Sequence, residues 1–249
     1  KSSLILNIIS FLFPAIYIVS LAGMIFTDND AFNNLALLMF FINLFILMTQ
    51  ISKIKAEMMG ASRIKDILLN YSIIIKQIEN KEFKSEKLNQ LKEKLNNDKG
   101  LASEQIKKLS SLFGQLESIL NPIGAGLFNG TTLYHLHTLR SLYKWKSDYR
   151  TKITDWLNVI GEIEQLNSYA NFAYNNNDFT YPSLNSESKI EFNDLGHPLL
   201  DSQTRINNTV DFNNQNFIIL TGSNMSGKST FLRSLGINSS KLIIAFLFF

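Results

Sequence analysis

The chain has 249 residues, 45% of them hydrophobic, which is enough apolar material for one or two packed domains. Its 24 basic and 21 acidic residues leave a net charge of +3, too even to mark a nucleic-acid binder by bulk charge. With no cysteine, a disulfide framework, a thiolate metal site and a cysteine nucleophile are all excluded.

The charges are unevenly spread, since only Lys1, Asp28 and Asp30 fall within residues 1–51. The chain begins at Lys1 rather than at a methionine, and we expect its natural N-terminus upstream, so the sequence reads as a fragment. From Leu4 to Phe26 no residue is charged. As a helix this run is about 34 Å long, against a hydrocarbon layer of about 30 Å. After the polar TDNDAFNN, a second uncharged run extends from Leu35 to Ile51 and can borrow Ala31 and Phe32. Together these runs, residues 4–26 and 35–51, predict a transmembrane helical hairpin over residues 1–52. Lys1 on one flank and Lys53, Lys55, Arg63 and Lys65 on the other, against two aspartates in the loop, put both ends on the cytoplasmic side of the inner membrane. The C-terminal part is then cytoplasmic. A signal peptide over residues 1–22, or two buried helices of a soluble core, are the competing readings. Pro14 is compatible with a span, because neighbouring groups can satisfy the carbonyl it frees.

Residues 53–177 read as a long all-α, coiled-coil-like lever region. Ala61, Ile64, Leu68, Tyr71, Ile75 and Ile78 alternate steps of three and four, the seam of an amphipathic helix. A charged stretch from Asn80 to Gly100 interrupts the seam but keeps Leu88, Leu91 and Leu95 in helical spacing. The stepping returns in Ala102, Ile106, Leu109, Phe113, Leu116 and Leu120, and Asn121, Pro122, Gly124, Gly126 and Gly130 are expected to break it. A second long helix is expected from about Thr131 to Tyr174, with Ile153, Trp156, Leu157, Ile160, Ile163, Leu166 and Ala170 on one face, ended by Asn175, Asn176, Asn177 and Asp178. His135 and His137 are two apart, point to different sides of such a helix and read as surface or packing residues, not as a zinc pair. Lys144, Lys146, Arg150 and Lys152 cluster around Trp145 and Tyr149, either a solvated helix face or a phosphate contact.

Residues 178–249 change pattern to short apolar pieces separated by turns. Asn216, Phe217, Ile218, Ile219, Leu220 and Thr221 predict a buried strand. Directly after it stand Gly222, Ser223, Asn224, Met225, Ser226, Gly227, Lys228, Ser229 and Thr230, which fit G-x-x-x-x-G-K-[ST] without a mismatch, and Phe231 to Asn238 has helical character. Gly222 and Gly227 would let the backbone turn its amides toward an anion. The helix starting near Lys228 would add its positive end, Lys228 a cation for the β- and γ-phosphates, and Ser229 a hydroxyl for Mg²⁺. ATP with Mg²⁺ is the expected ligand. The fold class is therefore mixed: a transmembrane helical hairpin, an all-α lever region and the start of an α/β P-loop NTPase domain.

The segment FIILTGSNMSGKSTFLRSLGIN, Phe217 to Asn238, resembles the nucleotide-binding segment of the MutS family of DNA mismatch-repair ATPases, with the Asn224–Met225 pair inside the loop. Gly196, His197 and Pro198 resemble that family's Arg-His-Pro motif, with glycine in the arginine's place. Gly161, Glu162, Ile163 and Leu166 to Tyr174 resemble the end of its lever helix, with Tyr181 and Pro182 behind it. The resemblance implies ATP-driven dimerisation of the complete parent, DNA binding in mismatch-repair fashion, a loop-shaping role for Asn224, and His197 either near the nucleotide or in a structural turn. It also implies a Walker B strand and a signature segment, neither of which follows Asn238, so the chain is expected to stop short of a complete ATPase and not to turn ATP over. The hairpin and the lack of a Phe-x-Glu wedge point to a membrane-anchored, MutS-related branch. An ABC-type transporter ATPase fragment and a membrane scaffold with a relic nucleotide site are the alternatives.

Overall fold

The computed structural model describes residues 4–27, 29–59, 61–96, 100–180, 182–183, 185–186, 189–213 and 217–248. Lys1, Asp28, Tyr181, Asn216 and Phe249 lie outside them, as do the side chains of Leu4, Ile5, Ala61, Ser62 and residues 240–248. The described chain is mostly helical, with one small sheet, and divides into two compact units, Lys1–Glu164 and Gln165–Phe249.

Helix α1, Leu4–Phe26, coincides with the first uncharged run, because an apolar segment keeps its backbone hydrogen bonds inside its own helix. Helix α2, Asp30–Met58, begins under an Asn29 cap, whose side chain accepts from the Ala31 amide at 3.0 Å, and continues past Ile51 into its basic end. The two helices pack together. Both are long and apolar enough to cross a membrane, and only 17% of each apolar window is buried. Phe11, Val19, Phe41 and Phe45 lie exposed along them. Their buried polar side chains are Ser10, Ser20 and Asn43. Ser10 and Ser20 bond carbonyls of their own helix.

The first seam becomes α3, Ala61–Asn80, in which Leu68, Ile75 and Ile78 are buried while Ile64 is exposed. Helix α4, Glu86–Glu93, brings in Leu91, and Leu95 just beyond it is fully buried. Helix α5, Ala102–Glu117, buries Ala102, Ile106, Leu109, Phe113 and Leu116. It runs antiparallel to α3, since Lys65 pairs with Glu117 at 3.1 Å and the Glu79 carboxylate accepts the Ser103 amide. That carboxylate supplies the cap that Leu101 cannot.

The expected break after Leu120 is instead a short 3₁₀ turn, Ser118–Leu120, followed by helix α6, Pro122–Thr132. Pro122 sits in the first turn, where its missing amide costs nothing, and Asn121 caps the helix by accepting from the Gly124 amide. The glycine-rich segment is helical, and at its far end α2 packs closely on it. A side chain at Gly130 would collide with the Phe40 ring, and Asn43 Nδ2 donates to the Gly130 carbonyl at 2.8 Å. Gly130→Ala is expected to lower unfolding stability by about 1–3 kcal/mol, as overpacking does. Phe40→Leu should recover part of that loss in a double-mutant cycle of thermal melts; equal losses on either background would dismiss the contact.

The single long helix expected from Thr131 to Tyr174 is three. After α6, Leu133 takes the left-handed conformation (φ 53°), and α7 runs Tyr134–Tyr149. Residues Arg150 and Thr151 then separate it from α8, Lys152–Asn175. Leucine at positive φ costs about 1–2 kcal/mol. Its complete burial and its amide bond to the Asn129 carbonyl at 3.1 Å offset that cost. On α8 the buried face is Trp156, Val159 and Ile160, while Leu157 and Ala170 are exposed. Glu162 pairs with Lys87 at 3.4 Å and Lys94 at 3.7 Å.

In the second unit, strands β1, Glu191–Leu195, and β2, Asn208–Asp211, form an antiparallel pair in which Phe192 faces Val210. The register is interrupted between Phe192 and Leu195, where Asp194 takes a positive φ. Residues 217–223 have no regular structure, in place of the expected strand, and Phe217, Ile218, Ile219 and Leu220 are exposed. A buried strand needs ladder partners, and among the described residues β1 and β2 pair only with each other. Helix α9, Lys228–Phe248, follows the loop.

Candidate functional site

The glycine-lysine loop is shaped by two residues with positive φ, Met225 at 66° and Gly227 at 84°. Gly227 needs the freedom of glycine for that angle, and a Cβ at Gly222 would come to 2.7 Å from Ser226 Oγ, so that hydroxyl would have to turn away. The Ser226 amide closes the turn on the Ser223 carbonyl at 3.3 Å, and the Phe231 amide donates to the Gly227 carbonyl as α9 begins. Lys228, the first residue of α9, turns its side chain back into the loop. Its Nζ donates to the Gly222 carbonyl at 2.7 Å, to the Ser223 carbonyl, and to Ser226 Oγ at 3.3 Å.

Gly222, Ser223, Asn224, Met225, Ser226 and Gly227 thus form one turn around one ammonium, at the amino end of a helix. Ser229 and Thr230 stand exposed in the first turn of α9, where backbone amides lack helical partners. Ser229 is the residue with the hydroxyl nearest in sequence to the lysine, the position expected for Mg²⁺. Asn224 is exposed in the turn, and Met225 projects fully into solvent.

His197 lies in a turn, its Nδ1 accepting from the Leu199 amide at 3.3 Å and its carbonyl from the Leu200 amide at 3.1 Å. Its neighbour Gly196 accepts from Asn238 Nδ2 at 3.2 Å. Asn238 is ten residues along α9 from Lys228, about 15 Å of helix rise, so this contact holds the far part of the helix rather than the loop. Gly196 has no room for a side chain beside Arg205 and Asn207.

Arg205 carries no sequence signal, yet it organises this unit. Its guanidinium lies 5.2 Å from the centre of the Phe179 ring and 3.6 Å from Asp178, and its Nε donates to Asn207 at 3.0 Å.

The helical candidates resolve into packing. His135 is fully buried, with Nδ1 2.7 Å from Asn129 Nδ2 and Nε2 3.0 Å from Ser118 Oγ. His137 lies 3.0 Å from the Ser10 carbonyl and 4.7 Å from the Phe11 ring, so the two histidines face separate partners. No metal-holding group of three His, Asp or Glu occurs among the described residues. Within the basic cluster, Trp145 and Tyr149 are buried with their rings 5.4 Å apart, unavailable for stacking on a base, and Lys146 pairs with Glu57. Lys144, Arg150 and Lys152 are exposed.

No protein-family model matches the chain, and no solved structure does. Curated relatives give partial similarity. The chain is 32% identical over 96 residues to the DNA mismatch repair protein MutS of Staphylococcus aureus, with the same figures for strains JH9 and Newman. The match takes in 36% of this chain and 11% of the relative, so the chain spans about a tenth of the length of the curated proteins it is similar to. That similarity links the chain to MutS over part of its length.

Proposed function

We propose that the chain is a MutS-related, ATP-binding protein tethered to the cytoplasmic membrane by α1 and α2, with its glycine-lysine loop in the cytoplasm. The observation that carries the nucleotide reading is the Lys228 ammonium held inside the Gly222–Gly227 turn at the start of α9. The residues fit a phosphate chain. The loop has glycine where a side chain would fill the cradle, a positive charge at its centre, and helix amides behind it. Lys228 would grip the β- and γ-phosphates and the Ser229 hydroxyl would bind Mg²⁺, which neutralises phosphate charge when bound. Only the binding step is proposed for this chain. The partial similarity to MutS makes DNA a candidate substrate and a second copy a candidate partner. Tethering rests on two helices with long uncharged runs whose surfaces stay exposed, where the core of a soluble protein would bury them.

The test is retention of labelled ATP by the purified chain in detergent, with and without magnesium. Saturable retention that falls on removing the metal is expected; none at millimolar nucleotide would sink the reading. In the same assay Gly227→Ala, which forces a Cβ onto a φ of 84°, should weaken retention about five-fold, the equivalent of about 1 kcal/mol of loop strain.

A further inference from the structure

We propose that residues 118–139 form a re-entrant helical hairpin that enters the same lipid layer as α1 and α2, with α6 lying against acyl chains. This rests on the reading of α1 and α2 as membrane spans. Between Glu117 and Arg140 there is no Asp, Glu, Lys or Arg, a stretch of span length. His135 and His137 lie within it, and an ordinary imidazole, with a pKa near 6.5, is mostly neutral at pH 7. Yet the stretch is folded back at Leu133. The 11 residues of α6 cover about 16 Å, half of a hydrocarbon layer.

The contacts give the depth. The tip of the hairpin, at Gly130, packs on Phe40 and is held by Asn43, near the middle of the apolar run of α2. Phe40 also lies 6.3 Å from Tyr17, which is midway along α1. From Asn43 to Ile51, the end of that run, is about 12 Å of helix. Helix α7 then runs beside α2 toward its basic end, where Lys146 meets Glu57 beyond the last uncharged residue. Arg140, at the hairpin's edge, donates to Ser10 Oγ at 2.8 Å and covers the Phe11 ring at 5.3 Å. On the outer face of α6 and the turn before it, Leu120, Ile123, Leu127 and Phe128 are 67%, 76%, 57% and 56% exposed. Leu120, Ile123 and Leu127 are spaced by three and four residues and share one side, with Phe128 next to Leu127.

The hairpin's own polar groups at the tip are closed on themselves, and the one orphan there belongs to α2, where Asn43 Oδ1 is buried without a partner. Asn129 Nδ2 donates to the Ala125 carbonyl, Thr131 Oγ1 to Leu127 and Thr132 Oγ1 to Phe128. The Leu133 amide donates to the Asn129 carbonyl. At the start of α7, where a helix leaves amides unpaired, the His135 amide donates to Asn129 Oδ1 and the Leu136 and His137 amides to the Leu133 carbonyl. Water makes such closure optional, whereas hydrocarbon demands it wherever a helix ends inside the layer.

Because the chain has no cysteine, single cysteines can carry a nitroxide without background. Val19→Cys, Leu127→Cys, Ile123→Cys and Asn89→Cys are placed in the full chain, labelled, and reconstituted in phosphatidylcholine–phosphatidylglycerol vesicles. Collision rates are then read with oxygen, which partitions into lipid, and with a nickel chelate, which stays in water. Labels at 19 and 127 are expected to favour oxygen at least ten-fold over the label at 89. Nickel-accessible labels at both 127 and 123, with an oxygen-favouring label at 19, overturn the re-entrant hairpin and leave the spans standing. A nickel-accessible label at 19 overturns the spans, and the hairpin with them. Far-UV circular dichroism matching the parent shows that each labelled variant is folded, and position 123 replaces 127 if only one passes.

Discussion

Lys228→Met should weaken ATP retention by about 10- to 100-fold, while leaving the helical content unchanged. The loss has two sources. The variant removes a charge-assisted contact to phosphate, worth about 1.5–3 kcal/mol. It also uncovers the Gly222 and Ser223 carbonyls, which point at the ammonium and would face an anion with their negative ends. The side chain is otherwise dispensable, since its partners all lie within its own turn and no buried packing depends on it. Lys228→Arg keeps the charge but carries a planar fork too wide for this turn, and should fall between the two. Titration of labelled nucleotide onto the three proteins decides the matter. Equal retention by the methionine variant and the parent would mean that the ammonium organises the loop without touching phosphate.

Trp156→Ala is expected to cost about 3–5 kcal/mol of unfolding free energy, the range for emptying a large buried aromatic site. Trp156 is fully buried on α8, with its ring centre 5.9 Å from that of Tyr149, which in turn stacks toward Trp145. Trp156→Phe should cost far less than alanine. The indole Nε1 is buried without a hydrogen-bond partner, so replacing the ring by a purely apolar one removes an unsatisfied donor along with some packing. Denaturant melts followed by far-UV circular dichroism read both variants. A phenylalanine variant as unstable as alanine would mean that the indole proton has a partner, such as an ordered water. Trp156 was legible as an inward residue from its spacing, but its orphaned proton was not, because that depends on what α7 places above it.

Where the sequence was a sufficient guide, the determinant was local. The helicity of α1 over Leu4–Phe26 follows from 23 uncharged residues, whose amides pair within the helix itself. The α5 face follows from apolar residues stepping by three and four, which a helix brings to one side whatever it packs against. The start of α9 at Lys228 follows from the residue pattern of the loop. Where the sequence misled, the determinant was a neighbour remote along the chain. Gly124, Gly126 and Gly130 read as a break, yet the segment is helical, and at Gly130 the lack of a side chain lets Phe40 and Asn43 of α2 approach closely. Leu133 has no residue-level mark of a left-handed turn; Asn129 and His135, by closing the ends of α6 and α7, hold it there.

By itself the sequence determined two long apolar helices, an amphipathic helical middle and a turn of glycines around a lysine, because each depends on residues within a few positions of one another. The tertiary structure decided the rest. It divided the expected long helix at Leu133 and at Arg150, turned the histidines into packing groups, set Arg205 against Phe179, and left residues 217–220 without a ladder. These outcomes rest on pairings across tens of residues, and a side chain cannot announce such a partner: burial and hydrogen bonding become favourable only once the other surface has arrived.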